Sequence, residues 1–73
     1  MPMILTHHAR ERMGLRGVTL SMIEKTIFAP DSIGQGYSNK ILAFKRFPEG
    51  LLKVVYSVEG SDQVVITAIW QEE

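Results

Sequence analysis

Two hydrophobic periods meet at Ala29-Pro30-Asp31. Before that point apolar residues recur every three or four positions: Leu5, Ala9 and Met13, then Leu20, Ile23 and Ile27 with Phe28 beside them. Such spacing lines one face of a helix. From Ser32 onward the period drops to two, which lines the two faces of a strand. Proline bars the residue before it from the α region, so the second helix closes at Ala29-Pro30. The chain therefore reads as α+β. Two N-terminal helices pack on a four-stranded antiparallel sheet, an ααββββ meander with short turns between successive strands.

The elements follow from local chemistry. Residues 2–5 read as a short extended lead-in. Thr6 caps helix one, because its hydroxyl can accept an orphan amide at the helix start. That helix runs to about Met13, with Gly14 as its left-handed terminator and Arg16-Gly17 as a turn. Helix two starts after Thr19, or after Ser21 with Glu24 completing a capping box. Four strands follow at residues 32–37, 40–47, 51–58 and 63–70. The first holds Gly34 and Gly36 and reads as a weak edge. Alternation puts Lys40, Leu42, Phe44 and Arg46 on one face, and Ile41, Ala43, Lys45 and Phe47 on the other. Lys53 goes with Leu51, Val55 and Ser57, and Tyr56 with Leu52, Val54 and Val58. Thr67 goes with Val65 and Ile69, and Trp70 with Val64, Ile66 and Ala68. Both faces of the last two strands are apolar. One covers the core, and the other calls for a partner, a second copy of the chain or a ligand.

Composition sets the limits. Seventy-three residues make one domain, residues 1–73, and a chain this short buries only about 60% of its unfolded surface. It has no cysteine, which suits a reducing cytoplasm. No apolar run approaches the ~18 residues of a membrane span. Residues 1–5 are too short and lack the basic start of a secretory signal. The net charge is zero but unevenly spread. Residues 1–57 hold all eight Lys and Arg with four acids, and residues 58–73 hold the other four acids and no base. A basic body with an acidic end is compatible with an anionic partner such as RNA.

Chemistry concentrates between Thr6 and Val18, which hold both histidines and three basic residues. His8 and Arg12, four apart, stack at the margin of the apolar stripe. Adjacent His7 and His8 cannot both face one metal from a regular helix, and no zinc spacing, phosphate-binding glycine loop or nucleophile elbow is present. The expectation is no metal and no cofactor. His, Arg, Lys, Tyr and hydroxyl groups suit metal-free phosphodiester transfer: cations meet the phosphate, and His or Tyr moves a proton. Each group also has a plainer role. His8 can be a hydrogen-bonded ring at the core edge, Arg12 a snorkelling side chain, and Arg16 a cap on helix carbonyls. Lys45, Arg46 and Lys53 can be solvated, Tyr56 and Trp70 packed.

The run Thr6-x-His8-Ala9-x-x-Arg12-Met13-x-x-Arg16-Gly17-Val18, followed by Ile23-Glu24 and Ala29-Pro30-Asp31, resembles a widespread family of small bacterial and archaeal proteins of unknown function. Val54-Val55-Tyr56 and Val65-Ile66-Thr67-Ala68-Ile69-Trp70 resemble its closing strands. Ala29 departs from the Asn often found there. The family is similar in layout to the RelE-like toxin superfamily, the group that takes in barnase-type and colicin-type ribonucleases. The resemblance implies a metal-independent endoribonuclease, the toxin of a toxin–antitoxin pair, with RNA as substrate and an antitoxin as partner. The family's helix positions fall on His8, Arg12 and Arg16. On this reading His8 and Arg12 are catalytic with Tyr56, while Arg16, Lys45, Lys53 and Thr67 hold substrate; the strand residues are chosen by chemistry. The alternatives are a non-catalytic interaction module, such as a homodimer through the apolar sheet face, and an RNA-binding domain without cleavage.

Overall fold

A computed structural model describes residues 3–71. The elements are β1 (Met3–Leu5), α1 (His7–Arg16), α2 (Leu20–Phe28), β2 (Ser32–Gln35), β3 (Ile41–Phe47), β4 (Gly50–Glu59) and β5 (Asp62–Gln71). The α+β class stands, but the sheet has five strands, ordered β1-β5-β4-β3-β2, and is mixed. The expected lead-in is β1, parallel to β5, with Met3 opposite Gln63 and Leu5 opposite Val65. Three residues are too few for alternation to announce a strand, and a parallel neighbour requires a long crossover, here the rest of the fold. Thr6 secures the join: its amide donates to the Val65 carbonyl at 3.2 Å and its hydroxyl to the Ile66 carbonyl at 3.3 Å. The other three pairings are antiparallel, as the short turns imply.

Thr6 caps α1 as expected, its hydroxyl accepting from the Ala9 amide at 3.0 Å. The helix does not stop at Met13. It passes through Gly14 to Arg16, and Gly17, at φ 68°, is the left-handed terminator. A glycine inside a helix costs about 1 kcal/mol against alanine. Two tertiary bonds offset it. The Arg16 guanidinium donates to the Ala68 carbonyl at 3.0 Å, and the Trp70 indole donates to the Arg16 carbonyl at 2.8 Å. Neither partner is local, so no pattern near Gly14 reveals them. For α2 the cap is Thr19, accepting from the Met22 amide at 3.2 Å, and Ser21 lies inside the first turn.

Both helices lie on one face of the sheet. Ala9, Val18, Ile23 and Ile27 meet Ala43, Leu52, Val54, Tyr56, Val65 and Ala68 in a single core. A bulge corrects the alternation in the last strand. Val55 stands opposite Thr67 but Tyr56 stands opposite Val65, so Ile66 is the extra residue. Before the bulge each residue of β5 changes face, and Val65 joins the core, fully buried, instead of sharing a side with Thr67. Among the described residues no helix is long and apolar enough to cross a membrane.

Candidate nucleic-acid interface

The helices leave the second face of the sheet uncovered. Registers fix what stands there. Gly34, Leu42, Val55 and Thr67 form one row across four strands; Ser32, Phe44, Lys53 and Ile69 form the next; Arg46, Leu51 and Gln71 form a third. Leu42, Phe44, Leu51, Val55 and Ile69 are only half-buried. Lys53 sits at the centre, half-buried between Phe44 and Ile69, and makes no ion pair among the described residues. None of these rows holds an acid. Glu59 and Asp62 lie beyond them, at the β4–β5 turn, where the Glu59 carboxylate accepts from the Ser57 hydroxyl at 3.4 Å. A cation held among apolar side chains without a counter-charge loses hydration and regains nothing until an anion arrives.

Beside Lys53 a groove of about 540 Å³ runs to the β2–β3 hairpin, lined by Gln35, Tyr37, Lys40, Leu42, Lys53 and Val55. The hairpin closes on Ser38 and Asn39, both left-handed at φ 54° and 64°, the pair a type I′ turn requires. The Lys40 amide donates to the Tyr37 carbonyl at 3.0 Å, and the Gly36 amide to the Lys40 carbonyl at 2.9 Å. These bonds end β2 at Gln35, short of the expected residue 37, and stand Tyr37 out of the fold at 93% exposure. Neither Tyr37 nor Lys40 was among the candidates. The available signal was an aromatic next to turn residues, where packing has no use for it.

The seven candidates divide into five settings. Lys53 and Thr67 share the open face. His8 and Arg12 lie on α1, across the sheet from it; His8 is exposed, and the Arg12 Nε donates to His8 Nε2 at 3.4 Å. Arg16 reaches off its own helix, its guanidinium donating to the Ala68 carbonyl. Lys45, on the helix-covered side, donates to the Ala29 carbonyl at 3.0 Å and lies 3.9 Å from Asp31, pinning the exit of α2. Tyr56 is 6% exposed in the core, reaching only the shallow depression of Ile33 and Ile41. Tyr56, Arg16 and Lys45 therefore do not share the open face of Lys53, and Arg16 follows His8 and Arg12 at four-residue spacing on α1. Among the described residues no three His, Cys, Asp or Glu groups gather as metal ligands.

Compared with known protein families, residues 5–70 match DUF4258, a domain of unknown function. No curated protein and no solved structure matches the chain.

Proposed function

Taking as premise that the chain belongs to the DUF4258 family, we propose that it is a cytoplasmic protein that binds RNA through the open face of its sheet. The observation that carries this is Lys53, an ammonium without an ion pair among the described residues, at the middle of apolar rows in which no described residue is an acid. RNA answers both halves of that surface. Its phosphates supply the missing counter-charge, and its bases supply flat faces for Phe44, Leu42 and Ile69. Thr67, one row away, adds a hydroxyl for a phosphate or a 2′-hydroxyl. An apolar face free of Lys53 would fit a protein partner or a second copy better.

The test is binding of a labelled oligoribonucleotide at several salt concentrations. Wild-type affinity should fall as salt rises, and Lys53→Ala should bind more weakly with a salt slope shallower by about 0.7, the value of one phosphate contact on a single strand. Affinity unchanged by Lys53→Ala would remove the reading. Sedimentation showing a dimer that Lys53→Glu dissociates would replace it with self-association.

Cleavage is a second reading, favoured by the His8–Arg12 contact. The Arg12 guanidinium at His8 Nε2 sets an imidazole beside a cation able to bind phosphate. This pair would work without Tyr56 and without the open face. The toxin role implied by the sequence resemblance, with its antitoxin, then predicts slowed growth on expression that His8→Ala relieves.

A further inference from the structure

We propose that the groove between the β2–β3 hairpin and Lys53 holds one nucleotide of single-stranded RNA, its base on Tyr37 and its two flanking phosphates on Lys40 and Lys53. This rests on the RNA reading of the open face and names the form of RNA it takes. A volume of about 540 Å³ is that of a small-ligand site. Leu42 and Val55, paired across β3 and β4, make its floor. Lys40 precedes Leu42 by two residues and Lys53 precedes Val55 by two. Because the strands are antiparallel, the two ammonium groups stand at opposite ends of that floor. Neither makes an ion pair among the described residues. Two like charges flanking one apolar floor serve no packing purpose and suit a ligand with an anion at each end and a flat middle.

Tyr37 fits the middle. It is 93% exposed, and the hairpin bonds of Gly36 and Lys40 fix its backbone, so its ring is open to a base. Gln35 at the rim offers an amide donor and acceptor to a base edge. A base can reach this ring only if it is unpaired and unstacked, which an A-form duplex forbids. The chain therefore selects single strands.

Fluorescence anisotropy tests this with a labelled eight-residue oligouridylate and a duplex of equal length. Tyr37→Ala should weaken single-strand binding about tenfold, Tyr37→Phe should keep it, and Lys40→Ala should flatten the salt slope by about 0.7. The exposed position of Tyr37 spares the fold, and circular dichroism checks it. Duplex bound as tightly as single strand overturns the proposal. So does Tyr37→Ala binding like wild type while Lys53→Ala binds weakly, a result that leaves the RNA reading standing and removes only the groove. No binding by wild type removes both. Loss of self-association in Tyr37→Ala would assign the groove to a second copy of the chain and end the proposal.

Discussion

Lys45 and Lys53 stand on neighbouring strands and on opposite faces of one sheet, and they have opposite fates. Lys45 looks toward the helices, where the Ala29 carbonyl and Asp31 absorb its charge. Lys53 looks away from them and makes no ion pair among the described residues. The same residue type is a fastening on the covered face and an open valence on the other. What separates them is whether the fold itself supplies the counter-group.

The contrast can be broken at several points. The largest effect belongs to the covered face: Leu52→Ala should destabilise by about 2–5 kcal/mol in urea unfolding, whereas Leu51→Ala, its neighbour on the open side, should cost under about 1 kcal/mol. Equal costs would mean that the open face is a second core. Next comes Arg16→Ala, expected at about 1–3 kcal/mol because it strips the Ala68 carbonyl of its side-chain donor, while the Trp70 bond to the backbone carbonyl at position 16 remains. Hydrogen exchange should then show the last turn of α1 fraying back toward Gly14. Lys45→Ala should cost about 0.5–1 kcal/mol of stability and leave RNA affinity alone; Lys53→Ala should do the reverse, and a thermal melt beside an anisotropy titration checks both. The smallest effect is His8→Ala on stability, within about 0.5 kcal/mol given its exposure. A larger loss would make His8 a structural residue and weaken the cleavage reading.

The division into helices and strands was legible because Pro30 marks it and both periods are clean. β1 was not, since three residues carry no period, and its pairing lies some sixty residues away. The bulge at Val55 and Tyr56 was not, because alternation assumes a register that one extra residue cancels. In the site, the sharing of a face by Lys53 and Leu51 could be read from parity alone. Which face the helices would cover could not, as both were apolar. Hence His8 and Arg12 were set beside Lys53, which stands across the sheet from them. The bond from Arg16 to the Ala68 carbonyl could not be read either, because its acceptor lies 52 residues along the chain.

The parallel seating of β1 against β5 also dictates an order of events. Among the described residues β1 has its one sheet neighbour in β5, so Met3–Leu5 must wait, unpaired, until Asp62–Gln71 has emerged. Contacts this remote in sequence slow folding. The hairpins of β2 to β4 can assemble as they appear, but α1 gains its seat only when β5 arrives. A chain interrupted before Asp62 would leave the apolar side of α1 bare, and in the cell such fragments would meet proteases before they met a fold.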